Sequence, residues 1–395
     1  MIKILVATNR NPVRDESGKE IDFGEEFNHD PGAGPVELRF AWATCNDEGQ
    51  DDGSHQNPNR RGLEDQEIGK GRVWSPEGPG YEKIDYNLEI IADNKDGAPP
   101  SEALFKLILG NVIVDKSKAS DRWLLFVHGY GNKFKASIES AIRLAYRYKR
   151  VKESQQSSNT TINIILFSWP SHPGGKIATS PIAAYRQTQR AAEQSSYALS
   201  RLLDRISDYF IKPARQDKTL AKQLREIQLS IMTHSLGNYL LESYVRSGGQ
   251  SEKHLGLVRR VTLHQADVNE IGHAEWINQI AVSRDIWITQ NRFDYVLRWL
   301  SDAINPLRLG QETARPEATA TYVDCTKVNG LQISHNVFLA ADKRLKKLCC
   351  CLMDGDLDPL AGLIDSRDPV APRANSFYRD SVFPNFWRFG VDENL

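Results

Sequence analysis

A serine in a sharp turn between a strand and a helix is the residue of this chain best suited to chemistry. An alternating apolar run, residues 226–232, leads into Ser235, and a helical pattern begins directly after it. Such a nucleophile elbow lifts the hydroxyl above the end of a sheet, and it needs small residues two positions before and after the serine. Gly237 meets this requirement, whereas the β-branched Thr233 replaces the usual first glycine. The alternative interpretation is a serine that only caps the helix.

A glycine-rich turn upstream could supply the hydrogen-bond donors that a nucleophilic serine requires. An apolar strand pattern, residues 121–127, is followed by His128, Gly129 and Tyr130, and then by a helical pattern. The backbone N–H groups of Tyr130 and Leu236 would then form an oxyanion hole for a tetrahedral intermediate. A turn that needs glycine for backbone reasons alone is the simpler interpretation, and the two are compatible.

Two further strand patterns end near residues that could complete a catalytic triad. The strand candidate 285–290 is followed by Asp294, and the strand candidate 320–325 precedes His335. A serine is a poor nucleophile at its own pKa, so a histidine must remove its proton while a carboxylate orients and stabilises the imidazole. We predict Ser235, His335 and Asp294 in these roles. Their chain order differs from the orders of the two common serine protease folds.

A second acid stays open as an alternative. Asp267 also follows a strand pattern, residues 258–265, one strand before Asp294. Asp294 is preferred on the expected topology of the fold, and the simpler role for Asp267 is the N-cap of the next short helix.

The substrate should bind where the strands end, because ligands of open parallel sheets lie outside the carboxyl ends of the strands. Gly129, Trp169 and His234 stand at such ends and are candidates to line the site. Trp169 could equally belong to the core. His234 cannot serve as the base, because side chains of adjacent strand residues point to opposite faces.

Strand and helix patterns alternate along the middle of the chain, which predicts a fold of the α/β class. From residue 121 onward, the alternation indicates a mostly parallel central sheet with helices on both faces. We divide the chain into a β-rich N-terminal extension (1–118) with a polar loop (46–71), a catalytic core (119–345) and a C-terminal tail that packs on the core (346–395).

The composition is typical of a soluble enzyme. The 395 residues carry 50 basic and 51 acidic side chains, so there is no electrostatic basis for binding nucleic acid. No run approaches the roughly 20 apolar residues of a membrane span.

The cysteines indicate a reducing compartment. Their number, five, is odd and argues against a disulfide framework. Cys349, Cys350 and Cys351 are adjacent, a spacing unsuited to structural zinc. We therefore expect reduced thiols, no metal, no cofactor and a cytoplasmic location, with acylation of the three cysteines at a membrane as the alternative.

Six short motifs carry a resemblance to a known family: residues 6–10, 126–130, 166–170, 233–238, 265–268 and 334–335. Together they resemble the α/β-hydrolase superfamily and, more narrowly, a bacterial group of α/β-hydrolases long labelled as a domain of unknown function. The resemblance covers residues 120–345 well and implies Ser235, Asp294 and His335 as the triad. In some hydrolases of the superfamily the acid stands one strand earlier, where this chain has Asp267. The resemblance implies no substrate.

The chain is therefore predicted to be a carboxylesterase-like serine hydrolase that cleaves an ester, or a thioester or amide, through an acyl-enzyme. Its partner would be a small-molecule or acyl-ester substrate. The alternative is a catalytically weak or inactive scaffold of the same fold that serves as a binding module, an interpretation that Thr233 favours. The sequence indicates neither the acyl group nor the oligomeric state.

Overall fold

The structure, a computed structural model, describes most of the chain outside one long N-terminal segment and the C-terminal region. The described residues are 1–28, 34–46, 84–91, 122–154, 162–172, 180–216, 228–248, 258–280, 285–304, 307–313, 316–328, 335–339, 343–354, 377–379 and 385–389. The predicted polar loop lies outside these residues except for its first position, and so does most of the predicted C-terminal tail.

The described residues form thirteen strands. They are β1 (Ile2–Thr8), β2 (Arg10–Arg14), β3 (Glu20–Phe27), β4 (Arg39–Cys45), β5 (Asn87–Ile91), β6 (Arg122–Val127), β7 (Ile162–Ser168), β8 (Gln228–His234), β9 (Val258–His264), β10 (Ile286–Gln290), β11 (Thr321–Asp324), β12 (Phe377–Arg379) and β13 (Phe386–Phe389).

The helices of the described residues lie mainly between these strands. They are α1 (Phe134–Ser154), α2 (Pro181–Gln216), α3 (Gly237–Arg246), α4 (His273–Ile277), α5 (Tyr295–Ile304) and α6 (Lys343–Asp354), with a 3₁₀ turn at Val337–Leu339. None of the helices in the described part of the chain is long and apolar enough to cross a membrane.

Eleven of the described strands form one sheet, in the order β12-β13-β11-β10-β9-β8-β6-β7-β1-β4-β5. Within this order, the eight neighbouring strands β13-β11-β10-β9-β8-β6-β7-β1 all pair in parallel. Antiparallel pairing joins β4 and β5 at one end and β12 at the other. The predicted α/β class with a mostly parallel sheet is therefore confirmed. The carboxyl ends of its strands meet along one edge.

Neighbouring residues of the central strands pack against opposite layers of helices. On β6, Leu125 and Val127 belong to an apolar cluster that includes buried residues of α2, α3 and α5. Leu124 and Phe126 belong to a second cluster, which includes buried residues of α1 and α6. This two-residue period follows from the pleat of a strand, and it places helices on both faces of the sheet.

The terminal segments contribute to the same sheet. Strands β1, β4 and β5 come from the N-terminal extension, and β12 and β13 come from the C-terminal tail. Only β2 and β3 form a separate two-stranded hairpin in the described region. The domain boundaries stay a prediction, but the sheet itself runs across them.

Helix α6 carries the adjacent cysteines into the core. Cys349, Cys350 and Cys351 are all buried, and burial raises the pKa of the Cys349 thiol to about 12. Inaccessible, protonated thiols are poor nucleophiles. All five cysteines of the chain are buried, and none of them is in a disulfide.

An ion pair attaches the end of α6 to α1, and its removal should destabilise the protein. The Lys152 ammonium lies 2.6 Å from the Asp354 carboxylate, and both side chains are at most 9% exposed. Asp354→Ala would leave the ammonium without its partner and should cost about 3 kcal/mol, near the lower limit for buried pairs because the lysine stem can reach towards water. Denaturant titration measures this loss.

The matched control for that substitution is Glu153→Ala on the same helix. Glu153 pairs with Lys149, but both side chains are about half exposed. Surface pairs of this kind contribute about 0.3–0.5 kcal/mol. Equal free energies of unfolding for the two variants would contradict the structural role of Asp354.

Candidate active site

Ser235 lies in a tight turn between β8 and α3 and has a left-handed backbone, with φ at 52°. The chain passes so close at this point that two glycines are required. A Cβ atom on Gly237 would lie 2.7 Å from the carbonyl oxygen of His128, and one on Gly129 would lie 2.7 Å from the Cβ of Ser235. This geometry is that of a nucleophile elbow.

Thr233 is accommodated in the elbow through a hydrogen bond. It is fully buried, and its hydroxyl donates to the side-chain oxygen of Asn238 at 2.6 Å. The amide nitrogen of Asn238 in turn donates to the Ser235 carbonyl oxygen at 2.9 Å. The hydroxyl of the β-branched residue thus orients the asparagine that holds the elbow.

Ser235, His335 and Asp294 come together although they lie on three separate segments. The His335 Nε2 atom is 2.8 Å from the Ser235 hydroxyl oxygen, and its Nδ1 atom is 2.7 Å from Asp294 Oδ2. A carboxylate can only accept a hydrogen bond, so Nδ1 carries the proton and Nε2 is free to accept the serine proton.

The Asp294 carboxylate is held from both sides. Its Oδ1 atom accepts the N–H groups of Val296 and Leu297, in the first turn of α5, at 3.0 and 3.1 Å. A negative charge at a helix N-terminus is favoured by the orphan N–H groups and the helix dipole. Asp294 is fully buried, so its orientation is fixed by these bonds and by His335.

Asp267, the alternative acid, has different partners. The Tyr185 hydroxyl donates to its Oδ2 at 2.8 Å, and the Arg308 Nε lies 3.3 Å from its Oδ1. Among the contacts of the described residues, no hydrogen bond joins Asp267 to the His335 ring. Burial raises the pKa of the Asp267 carboxyl, and the Arg308 charge opposes this shift.

In the turn after β6, hydrogen bonds to the carbonyl group of the Gly129–Tyr130 peptide set the direction of the Tyr130 N–H group. The Gly129 carbonyl oxygen accepts a hydrogen bond from the His128 ring at 3.0 Å and from the Asn132 amide at 3.2 Å. In a planar trans peptide the N–H points opposite to the C=O, so the Tyr130 N–H points away from these donors. Gly129 itself lies against Ser235.

The Ser235–Leu236 peptide is held in the same way. Its carbonyl oxygen accepts the backbone N–H and the side-chain amide of Asn238, at 3.0 and 2.9 Å, and the Asp267 N–H at 3.2 Å. In the part of the chain that the structure describes, neither the Leu236 nor the Tyr130 N–H donates to a protein acceptor. Both are therefore available to a ligand, as an oxyanion hole requires.

Two of the three candidates for lining the substrate site, Trp169 and His234, hydrogen-bond to backbone carbonyl groups of the protein. Trp169 is fully buried, and its indole N–H donates to the His128 carbonyl oxygen at 2.9 Å. His234 Nε2 donates to the His335 carbonyl oxygen at 3.1 Å. Burial, together with the nearby His335, lowers the pKa of His234 to about 3, so its ring stays neutral. Gly129 lies directly against Ser235.

Gln265 is a site residue that the sequence patterns did not single out. It is fully buried, one residue beyond β9, in a left-handed conformation with φ at 40°. Its amide nitrogen donates to Asp294 Oδ2 at 2.6 Å, and its amide oxygen accepts the Val337 N–H at 2.8 Å. It therefore joins the acid to the segment that carries His335. The local signals were its place at the end of a buried strand and in the motif 265–268, and neither gave it a role in the site.

The ionisation of His335 should identify its partner carboxylate. Burial opposes protonation of the imidazole, but the Asp294 charge and hydrogen bond outweigh it, so the pKa of His335 is raised. Asp267 adds a smaller effect of the same sign. Asp294→Asn should therefore lower this pKa more than Asp267→Asn does. NMR titration of the imidazole resonances measures both, with His335→Gln to assign the signal.

The control for this titration is Asp324→Asn, at the end of β11, where the carboxylate pairs with Arg388. It should leave the His335 titration unchanged. A larger shift in Asp267→Asn than in Asp294→Asn would make Asp267 the partner of the imidazole.

Comparison with known proteins identifies the family of the chain. A search of curated proteins finds no match. Residues 109–348 match the model of a family described as alpha/beta hydrolase of unknown function (DUF900). The match covers more than half of the chain and includes the elbow, the turn after β6 and all three residues of the Ser235 site. The chain therefore belongs to this family of α/β-hydrolases.

Proposed function

We propose that the protein is a serine hydrolase that cleaves an ester, or a thioester or amide, through an acyl-enzyme. The observation that carries the proposal is the position of His335, whose two ring nitrogens lie within hydrogen-bond distance of Ser235 and Asp294. An imidazole held between a hydroxyl and a buried carboxylate is the arrangement that activates a serine.

In the proposed mechanism, the Ser235 oxygen attacks the carbonyl carbon of the substrate while its proton passes to His335 Nε2. Asp294 stabilises the resulting imidazolium through Nδ1. The Tyr130 and Leu236 N–H groups donate to the oxyanion that develops in the transition state. The imidazolium then protonates the leaving group. A water molecule, deprotonated by His335, releases the acid and regenerates the serine.

The carboxylate in this mechanism is Asp294 rather than Asp267. Asp294 accepts a hydrogen bond from the imidazole, whereas Asp267 is engaged by Tyr185 and Arg308. A carboxylate that already faces a guanidinium at 3.3 Å is less available to stabilise an imidazolium.

A cytoplasmic location is part of the proposal. It rests on the five cysteines, which are buried and form no disulfide, because disulfides are rare in reducing compartments.

Removal of the nucleophile separates an enzyme from a binding scaffold of the same fold. Ser235→Ala should abolish both the hydrolysis of p-nitrophenyl esters and labelling by a fluorophosphonate, while the circular dichroism spectrum stays unchanged. The matched control is Ser243→Ala on α3, where the hydroxyl only donates to the Tyr239 carbonyl oxygen. Full labelling of Ser235→Ala would exclude it as the nucleophile. A parent protein without labelling or hydrolysis would favour the scaffold.

Gln265→Leu should lower kcat about tenfold with little change in KM. The substitution removes the donor to Asp294 and leaves the buried Val337 N–H without its acceptor, a loss on the order of 1–3 kcal/mol. The acid and the segment carrying His335 should then be less well oriented for the transition state. Steady-state kinetics on a p-nitrophenyl ester measures the effect.

The matched control is Gln290→Leu. Gln290 is also a buried glutamine at a strand end, and its amide donates to the Leu309 carbonyl oxygen at 2.6 Å, away from the triad. It should lose stability to a similar degree but keep its kcat. Equal kcat values in the two glutamine variants would contradict a positioning role for Gln265.

A further inference from the structure

Arg10 is a fully buried arginine whose side chain connects the N-terminal strands to the turn after β6. Its Nη1 donates to the Glu25 carboxylate at 2.6 Å and to the Gly24 carbonyl oxygen at 3.3 Å. Its Nη2 donates to the Asn132 carbonyl oxygen at 2.9 Å, and its Nε donates to the Ser168 hydroxyl at 3.1 Å. The guanidinium is thus shared between the β2–β3 hairpin, the end of β7 and the turn.

Burial of this guanidinium destabilises the folded state unless its N–H groups are hydrogen-bonded. Burial lowers the pKa of Arg10 to about 10, and the Glu25 charge opposes the shift. Glu25 is the one acidic residue with which it pairs among the described residues, and the remaining donors go to neutral oxygens. An arginine in this position is suited to the role because its planar fork can satisfy several acceptors in fixed directions.

Two successive hydrogen bonds, through Asn132, connect Arg10 to the peptide of the proposed oxyanion hole. Arg10 holds the Asn132 backbone, and the Asn132 side chain donates to the carbonyl oxygens of Gly129 and Tyr130 at 3.2 and 3.3 Å. The Gly129 carbonyl belongs to the same peptide as the Tyr130 N–H. Its direction therefore sets the direction of the donor.

Glu25 holds the other end of the turn. Its second carboxylate oxygen accepts the N–H of Phe134, the first residue of α1, at 3.0 Å. A carboxylate at this place satisfies an orphan N–H group and interacts favourably with the helix dipole. Arg10 and Glu25 together therefore attach the turn to the hairpin at Asn132 and at Phe134.

We propose that Arg10, held by Glu25, is a positioning residue for the oxyanion hole, and that the N-terminal strands are for this reason part of the catalytic apparatus. The inference rests on the proposed hydrolase function. Arg10 acts through Asn132 and the Gly129–Tyr130 peptide and touches no reacting atom. Its effect should fall on kcat, since the oxyanion forms only in the transition state, and should leave KM and the ionisation of His335 unchanged.

Arg10→Lys tests the proposal because it keeps the charge but cannot donate in all of these directions. Two measurements are combined. The first is hydrogen exchange of the turn, where the Gly131 and Asn132 N–H groups donate to the Ser171 carbonyl and hydroxyl oxygens. The second is the kinetics of p-nitrophenyl ester hydrolysis against pH. We expect faster exchange in the turn and a kcat about 10- to 100-fold lower, with KM and the pH midpoint unchanged.

Two further variants accompany it. Arg14→Lys, on the same hairpin, changes an arginine that is partly exposed and paired with Glu20, and it should alter neither measurement. Glu25→Gln keeps the shape of the side chain and an acceptor for Phe134 but removes the charge opposite Arg10. It should show both effects in weaker form, and it decides the matter if Arg10→Lys does not fold.

Unchanged exchange in the turn, or faster exchange with an unchanged kcat, would overturn the role of Arg10 and leave the proposed hydrolase activity intact. A raised KM or a shifted pH midpoint, without a loss of kcat, would also overturn the role of Arg10. A parent protein that neither hydrolyses esters nor reacts with a fluorophosphonate would overturn the proposed function itself, and the positioning role of Arg10 with it.

Discussion

The left-handed conformation of Ser235 is the constraint on which the site depends. A non-glycine residue in this region costs on the order of 1–3 kcal/mol, so other bonds must hold it. The Ser235 N–H donates to the His264 carbonyl oxygen, and its own carbonyl oxygen accepts three donors from Asn238 and Asp267. These partners lie on β9, on α3 and in the loop after β9, which are fixed by the sheet. The strain is thus offset by elements that the hydrophobic core already orders.

A second strained residue lies directly beside the first. Gln265 and Ser235 are the two non-glycine residues with positive φ in the described part of the chain, and they stand at the ends of the neighbouring strands β8 and β9. At each of the two positions, the left-handed backbone conformation sets the direction of the side chain. Ser235 presents its hydroxyl to His335, and Gln265 joins Asp294 to the Val337 N–H. Strain of this kind persists where the surroundings over-determine it, as at a functional site.

Burial disfavours protonation of all four histidines around the elbow, but the net shift of the pKa differs between them. Burial lowers the pKa of His128, His234 and His264, which remain neutral and act as hydrogen-bond donors and acceptors. Only at His335 does a buried carboxylate, Asp294, overcome the same desolvation and raise the pKa. In the proposed mechanism, this difference confines proton transfer to the imidazole of His335. The neutral rings support the loops around it.

Much of the fold and the types of the site residues followed from local sequence patterns. Alternating strands and helices predicted the α/β class, and the strand–Ser235–Gly237–helix pattern predicted an elbow, because pleat, helix period and glycine requirements are local properties. The resemblance placed the chain among the α/β-hydrolases, and the family match bears this out.

The contacts between distant segments could be decided only by the tertiary structure. The patterns left Asp294 and Asp267 open as acids. In the fold, Arg308 and Tyr185 engage Asp267, while His335 faces Asp294. Likewise, the residues next to Gln265 and Arg10 in the chain do not indicate their hydrogen-bond partners, which lie far away in sequence. Such side chains obtain their roles from desolvation and hydrogen bonding between elements that meet only after the sheet has formed, so no local periodicity records them.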